Sequence, residues 1–186
     1  IIEGGIPLYG EITPSGNKNA ALPLLAACLL TDEPVVLRNV PQIRDVLAMR
    51  KLIESLGAVV EELDSHVWRI TTKELIASHL DPELCRKIRA SILIAGPVLA
   101  RAGGLKLPPP GGDVIGRRRL DTHILALRAL GAKIDYNRVF EISTTKLRGA
   151  DILLDEASVT ATENAVMAAV LANGQTQLRN AASEPH

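Results

Sequence analysis

Aromatic side chains are scarce in this sequence, and neither sign of charge is in excess. Among 186 residues there are one tryptophan, two tyrosines and one phenylalanine, and 21 basic side chains balance 21 acidic ones. Nucleic-acid binding usually depends on a positive field and on aromatic rings that stack with bases. A formal net charge of zero and so few rings therefore argue against a nucleic-acid partner.

Long apolar runs and paired cysteines are also lacking. The longest apolar run spans residues 20–30, whereas a helix needs about 20 apolar residues to cross a bilayer. The first residues show neither the basic region nor the apolar core of an export signal. Cys28 and Cys85 have no second Cys or His at metal-ligand spacing. We expect a cytoplasmic protein with two reduced cysteines, no metal and no membrane partner.

What the sequence does contain is a globular composition with an internal repeat. Helical patterns at residues 46–56 and 120–130 each end in Leu-Gly-Ala and lead into a short strand. Gly57 and Gly131 lie roughly 75 residues apart, a spacing typical of supersecondary repeats. Glycine at such a position is typical of a helix C-cap in the left-handed conformation.

Aliphatic helices followed by short strands extend this pattern. The helices are expected at 24–30, 92–100 and 166–171, and their strands at 35–39, 105–107 and 177–180. The predicted repeat unit is strand, helix, strand, helix, strand, strand. In the first repeat, its leading strand is expected at residues 8–12. The third repeat starts near Ala161, and the chain stops before a third Leu-Gly-Ala helix.

The repeats predict an α/β fold of βαβαββ units, an inside-out barrel with helices inside and sheets outside and with its third repeat incomplete. A missing third helix would expose the apolar faces of Ile94 and Val98. A complete domain with a degenerate third repeat is the alternative.

Two loops contain candidate functional residues. Before the first helix, Ser15, Asn17 or Asn19 can cap the helix, and Lys18 beside its amides makes an anion site plausible. The alternative is a solvated Lys18. The second loop, residues 107–123, joins Pro-Pro-Pro-Gly-Gly-Asp to three arginines, a composition typical of a functional surface loop. Alternatively, its Asp113 makes a turn and its arginines are solvated.

Two helix entries are further candidates. Arg89 stands near the start of an apolar helix, where a cation needs an anionic partner, either a ligand or a structural carboxylate. Thr160 and Glu163 have the spacing of a capping box. Contact with a sugar or nucleotide is the alternative for that hydroxyl-rich segment.

Four segments in order resemble a family of bacterial enolpyruvyl transferases, which act on UDP-N-acetylglucosamine. They read SGNKNAALP from Ser15, RASI from Arg89 with a following Gly-Pro, PGGDVIGRR from Pro110 and ASVTAT from Ala157. The resemblance implies two similar three-repeat domains that close on the substrates like a clamp. Residues 1–15 would then be a strand region belonging to the second domain, residues 16–186 a truncated first domain, and the second domain would be absent.

The resemblance also implies an activity. The enolpyruvyl group of phosphoenolpyruvate would pass to the 3-hydroxyl of UDP-N-acetylglucosamine with release of phosphate and without cofactor or metal. That is the first committed step of peptidoglycan synthesis, and so of cell-wall growth, cell shape and cell division. This chain alone is expected to be inactive. A non-catalytic nucleotide-sugar or phosphate-binding module and a 5-enolpyruvylshikimate-3-phosphate synthase-like transferase remain alternatives.

Carried over by motif, the resemblance gives residues their roles. Lys18 would bind phosphoenolpyruvate, Asn19 would lie next to both substrates, and Arg89 and Arg118 would contact their anionic groups. The other implied substrate contacts are Arg119, Leu120, Asp121, Thr122, His123, Glu156, Ala157, Ser158 and Val159. Glu156 stands where some members have lysine.

Asp113 occupies the loop position that many family members fill with a cysteine, the target of fosfomycin. The resemblance implies that Asp113 donates the proton to C3 of the enolpyruvyl group, with Lys18 and Arg118 as the other catalytic residues. A carboxyl must have its pKa raised from about 4 to hold a proton at pH 7. A closed, dry site would raise that pKa, and neighbouring arginines would lower it unless phosphate neutralised them.

Overall fold

Two three-stranded sheets with the same strand order carry the first two repeats. The computed structural model describes residues 1–76, 80–112 and 119–186. Its helices and strands are, in chain order, α1 (Lys18–Ala27), β1 (Val35–Arg38), α2 (Arg44–Ser55), β2 (Val59–Asp64), β3 (Val67–Thr71), α3 (Pro82–Lys87), α4 (Ala95–Ala102), β4 (Gly104–Leu107), α5 (Asp121–Ala129), β5 (Lys133–Asn137), β6 (Val139–Ser143), β7 (Asp151–Leu153), α6 (Val159–Val170) and β8 (Gln177–Arg179). Short 3-10 helices at Cys28–Leu30 and Arg89–Ile94 precede the first sheet and α4.

The strand pairing confirms the predicted repeat. The first sheet has the order β1-β3-β2 and the second the order β4-β6-β5, and all neighbouring strands in both are antiparallel. Each of the two Leu-Gly-Ala motifs ends a helix as expected, since Gly57 and Gly131 have φ values of +98° and +99°. Only glycine adopts this left-handed conformation without strain. The glycine of each motif therefore ends the helix and directs the chain into the following strand.

The helices lie inside, as predicted. Every residue from Ala90 to Leu99 is buried, so the second 3-10 helix after Arg89 and the first half of α4 form the centre of the molecule. They contact α1, α2 and α6. The sheets cover this centre with one face each, and Trp68 and Ile70 of β3 point inward with no exposed surface.

The leading strand of the repeat unit departs from the prediction. Residues 1–17 form no strand, and Ile6 and Leu8 are 77% and 95% exposed. A strand needs a backbone partner, and no described strand pairs with residues 8–12. In the second repeat the helix α3 stands before the central helices. In the described part of the chain, only the third repeat begins with a strand. This strand, β7, pairs in parallel with β8, and α6 connects the two in sequence.

The expected exposure of Ile94 and Val98 is wrong. Both side chains are completely buried, because α6 packs against α4 and the preceding 3-10 helix. Apolar side chains of α6 itself are exposed instead, since Val166 and Val170 are 49% and 64% exposed.

Arg101 of α4 ties the second repeat to the first. Its guanidinium donates to four backbone carbonyls, those of Leu29, Thr31, Thr72 and Lys73, at 2.7–3.1 Å. These carbonyls end the first 3-10 helix and β3, so a single side chain joins three segments that are distant in sequence.

Two findings bear on the sequence-based exclusions. Among the described residues, no helix is long and apolar enough to cross a membrane. Cys28 and Cys85 are free and buried, and burial raises the pKa of their thiols to about 12 and about 11. Neither thiol is therefore a nucleophile at neutral pH.

Candidate functional site: a cationic cleft lined by Lys18, Lys87 and Arg89

One cleft brings together candidate residues from both ends of the chain. Its described residues enclose a cavity of about 170 Å³, smaller than the roughly 300–1,000 Å³ typical of sites that enclose a drug-sized ligand. It therefore suits a small anion or one end of a larger substrate. Its described lining residues are Lys18, Asn19, Leu22, Asp45, Lys87, Ile88, Arg89, Ala90, Gly112 and Thr160.

Lys18 enters the cleft from the first turn of α1. Among the three predicted capping residues, Asn17 caps this helix, since its Oδ1 accepts from the amides of Asn19 and Ala20 at 2.7 and 3.2 Å. The Lys18 ammonium lies 3.0 Å from the Asp45 carboxylate, and both side chains are partly exposed. Sequence reasoning missed Asp45, whose only local signal is an acid in the first turn of α2.

Arg89 lies beside Gly112 and Arg119, the described residues on either side of 113–118. Its Nη2 donates to the Arg119 carbonyl at 3.1 Å. On the other side Gly112 is so close that an added Cβ would lie 3.0 Å from the Arg89 nitrogen. Two residues predicted from the sequence to act in catalysis, Asp113 and Arg118, lie outside the described residues. The described residues that flank them both contact Arg89.

Backbone hydrogen bonds fix the entry to that segment. Gly111 and Gly112 donate to the carbonyls of Cys85 and Arg86, each at 3.0 Å. An added Cβ at Gly111 would lie 1.9 Å from the Arg86 oxygen, and Gly112 has a φ of +88°. Glycine is therefore required at both positions, one for close approach and one for its backbone conformation.

The side chains at the start of α5 differ in exposure, and some face solvent while others face the core. Arg119 and Asp121 are exposed and paired with each other, and Leu120 is half-buried. Thr122 and His123 are buried, 6% and 4% exposed. The five predicted contacts at 119–123 therefore do not share one face.

The two buried side chains contact the segment that leads into α6. Thr122 donates to Asp155 at 2.7 Å, and His123 Nε2 lies 3.1 Å from the Thr160 hydroxyl. Burial, and then the nearby Arg89, lower the pKa of His123 to about 4. The imidazole is therefore neutral at pH 7.

The entry to α6 corrects the predicted capping box. The N-cap is Ser158, whose hydroxyl accepts from the Ala161 amide at 3.4 Å. Thr160 is already inside the helix and contacts His123, while Glu163 pairs with His186 at 2.7 Å. A residue pair three apart fits a capping box only when its first member is the cap.

The predicted contacts at 156–159 are not brought to the cleft as a group. Glu156 and Ala157 are exposed, and Val159 lines a separate, mostly apolar cavity with Pro23 and Leu24. Thr160 is the residue of this segment that lines the cleft.

The described part of the chain has the architecture of an enolpyruvyl transferase domain. It is similar to the enolpyruvyl transferase NikO from Streptomyces tendae, with a TM-score of 0.75, 20% identity and coverage of 94% of this chain and 41% of that one. It is also similar to EPSP synthase from Acinetobacter baumannii, with a TM-score of 0.74 and 19% identity over 95% of this chain and 41% of that one. At this identity the likeness shows the fold alone.

The sequence comparison is more specific. The chain belongs to the EPSP synthase (3-phosphoshikimate 1-carboxyvinyltransferase) family, whose model matches residues 2–186. It is 61% identical over its whole length to UDP-N-acetylglucosamine 1-carboxyvinyltransferase of Bradyrhizobium diazoefficiens and 56% identical to that of Treponema denticola. The resemblance inferred from the four motifs is confirmed. The chain spans 43% and 44% of the length of these two relatives.

Proposed function

We propose that this chain is part of a transferase that moves the enolpyruvyl group of phosphoenolpyruvate to the 3-hydroxyl of UDP-N-acetylglucosamine. The observation that carries the proposal is the identity of 61% over the full 186 residues to a relative named for that substrate. Similarity to solved EPSP synthases is much lower, at 19%. That contrast favours the nucleotide sugar over shikimate 3-phosphate as acceptor.

The charges of the cleft support an anionic substrate. Lys18, Lys87 and Arg89 line it, and Asp45 is the single acid among its described lining residues. Phosphoenolpyruvate carries a phosphate and a carboxylate, and arginine and lysine donors bind both groups by charge-assisted hydrogen bonds. Asp45 orients the Lys18 ammonium, and a bound phosphate would share that ammonium with it.

The proposed reaction is an addition followed by an elimination. The sugar 3-hydroxyl loses its proton to a base and adds to C2 of phosphoenolpyruvate while C3 takes a proton from an acid. C3 then loses a proton as the bond from C2 to the phosphate oxygen breaks, which releases phosphate and forms the enol ether. Asp113 is the proposed proton donor to C3, and Lys18, Arg89 and Arg118 stabilise the negative charge of the carboxylate and of the departing phosphate. Arg89 donates to the Arg119 carbonyl and lies close to Gly112, so the residues on either side of 113–118 are at the cleft, which supports the role proposed for Asp113.

The remaining substrate contacts follow the nucleotide sugar away from the cleft. Arg119, Leu120 and Asp121 at the start of α5, and Glu156 to Val159 before α6, are proposed to hold its diphosphate and uridine. The hydrogen bond from Thr122 to Asp155 keeps these two segments side by side, which supports a shared role.

The rest of the site is proposed to come from a second domain. Residues 1–15 are proposed to pair with that domain as a strand, because the apolar side chains of Ile6, Leu8 and Ile12 are 77–95% exposed. We place the complete enzyme in the cytoplasm, at the first committed step of peptidoglycan synthesis.

The test compares the chain with a chimera. The purified chain and a Bradyrhizobium enzyme whose matching segment is replaced by residues 1–186 are each given phosphoenolpyruvate and UDP-N-acetylglucosamine, and phosphate release is measured. The expected result is turnover by the chimera, none by the chain alone, and loss of turnover in the Asp113→Ala chimera.

Other results would contradict specific parts of the proposal. Turnover by the chain alone that disappears with Asp113→Ala would mean that the chain is a complete catalyst. A chimera that uses shikimate 3-phosphate instead would overturn the acceptor. A folded chimera that binds both substrates without turnover would favour a binding module.

A further inference from the structure

A line of buried polar groups runs from the centre of the molecule to the cleft. It begins at Asn164 of α6, which is completely buried. Asn164 Oδ1 accepts from the Gly96 amide at 2.6 Å, and its Nδ2 lies 3.0 Å from the Ile92 carbonyl and 3.1 Å from His123 Nδ1. The line continues through the imidazole to the Thr160 hydroxyl.

The neighbours of Asn164 fix the direction of its amide. The Gly96 amide can only donate, and the Ile92 carbonyl can only accept, so the oxygen must face Gly96 and the nitrogen must face Ile92. The same nitrogen faces His123, and it carries only donor hydrogens. His123 Nδ1 must therefore be an unprotonated acceptor.

The tautomer of His123 follows from this arrangement. A neutral imidazole has one protonated nitrogen, so the proton is on Nε2, which donates to the Thr160 oxygen at 3.1 Å. An imidazolium would place an N–H group against the amide N–H of Asn164. The lowered pKa of His123 agrees with this neutral state.

Thr160 is the end of the line and reaches the cleft. Because its oxygen accepts from His123, the hydroxyl proton points to a different acceptor. The structure records no second hydrogen bond of this hydroxyl to the described part of the chain. The proton is therefore available to a group bound between Lys18 and Arg89.

We propose that Thr160 is a substrate-binding residue whose hydroxyl donates to an oxygen of the bound phosphate group. Asn164 and His123 are positioning residues that keep the hydroxyl pointing into the cleft. This role rests on the proposed function in that the phosphate belongs to a substrate. It also changes the role of His123, which acts through Thr160 and not by touching the substrate.

The first experiment measures binding of inorganic phosphate to the chain by NMR titration. A hydrogen bond to a charged group contributes about 1.5–3 kcal/mol, so Thr160→Val should weaken phosphate binding about ten- to hundredfold. Thr160→Ser keeps the hydroxyl and should restore most of the affinity. Thr162→Val is the matched control, because the Thr162 hydroxyl donates to the Ser158 carbonyl and faces a different cavity.

The second experiment reads the tautomer directly. Nitrogen-15 spectra of the imidazole should show His123 as the neutral Nε2–H form throughout pH 6–8, with the assignment taken from the signals that His123→Phe removes. Asn164→Asp offers Nδ1 an acceptor, so it should move the proton to Nδ1 and weaken phosphate binding although Thr160 is intact. His123→Phe frees the hydroxyl to rotate among three staggered positions and should weaken binding about threefold.

Failure of this proposal and failure of the proposed function give different results. Turnover by the chimera with unchanged phosphate affinity and unchanged KM in Thr160→Val would overturn the role of Thr160 alone. An Nδ1–H tautomer, or no phosphate binding by the chain, would also overturn it. Phosphate binding that depends on Thr160, in a chimera without turnover, would leave the role of Thr160 intact and contradict the proposed transferase activity.

Discussion

Replacing Gly111 by alanine should detach the entry to the 113–118 segment from α3. The new Cβ would lie 1.9 Å from the Arg86 oxygen and 2.5 Å from the Arg86 carbonyl carbon, far inside the van der Waals separation of about 3.5 Å. The obstructing atoms are backbone at the end of a helix, so the loop must withdraw. Withdrawal breaks the hydrogen bonds from Gly111 and Gly112 to Cys85 and Arg86.

The size of the effect follows from these two bonds. Each contributes about 0.5–1.5 kcal/mol, so the docked arrangement loses about 1–3 kcal/mol, which is about five- to 150-fold in its population. If the proposed proton donor Asp113 is active only when the loop entry is docked, kcat of the Gly111→Ala chimera should fall by a similar factor. The unfolding midpoint should change little, because the loop entry lies outside the hydrophobic core.

The assay combines phosphate release with amide hydrogen exchange at residue 112. Gly4→Ala in the chain alone is the matched control for the hydrogen exchange, since nothing in the chain lies within 4 Å of a Cβ at that position. Unchanged turnover in Gly111→Ala, together with unchanged protection of the residue 112 amide, would refute the reasoning. Faster exchange with unchanged turnover would show that docking of the loop entry does not limit the reaction.

Three further results are expected. Arg101→Met should lower the unfolding free energy, measured in urea, by about 2–4 kcal/mol, because four carbonyls lose a charged donor. In the control, Arg148→Met at an exposed position should change the unfolding free energy by less than about 0.5 kcal/mol. Equal losses in the two variants would contradict the role of Arg101 in joining the two repeats. Since the pKa of His123 is lowered from 6.5 to about 4, unfolding takes up a proton between these values, and stability should fall by about 3 kcal/mol from pH 6.5 to pH 4. His123→Phe should remove that part of the pH dependence, and an unchanged pH profile would contradict the lowered pKa. The chimera should resist fosfomycin, because the Asp113 carboxylate is a weaker nucleophile toward an epoxide than a thiolate; rapid covalent labelling of Asp113, detected by mass spectrometry, would contradict this.

The features that the sequence predicted correctly are those with local causes. Gly57 and Gly131 mark helix ends because a left-handed residue is needed there, and the aliphatic periodicity identified the buried helices. Lys18 and Arg89 were recognised from short motifs, and the structure brings both to one cleft.

The features that the sequence could not predict depend on contacts between distant segments. Residues 8–12 have a strand pattern, yet a strand forms only where another backbone lies beside it. Thr160 and Glu163 have the spacing of a capping box, but Thr160 bonds to His123, 37 residues away. Neither Asp45 nor Asn164 could be assigned to the site from its local sequence, because the partners Lys18 and His123 are brought to them only by the fold.

The single tryptophan has a practical consequence for solution work on this protein. Trp68 is completely buried in the middle strand of the first sheet, and the Arg50 guanidinium lies 5.1 Å from its ring. It does not line the cleft. Intrinsic fluorescence therefore reports on the integrity of the first sheet, with emission shifted to the blue in the native state. Ligand binding at the cleft should leave that emission unchanged, so the same signal can follow unfolding in the presence of substrate.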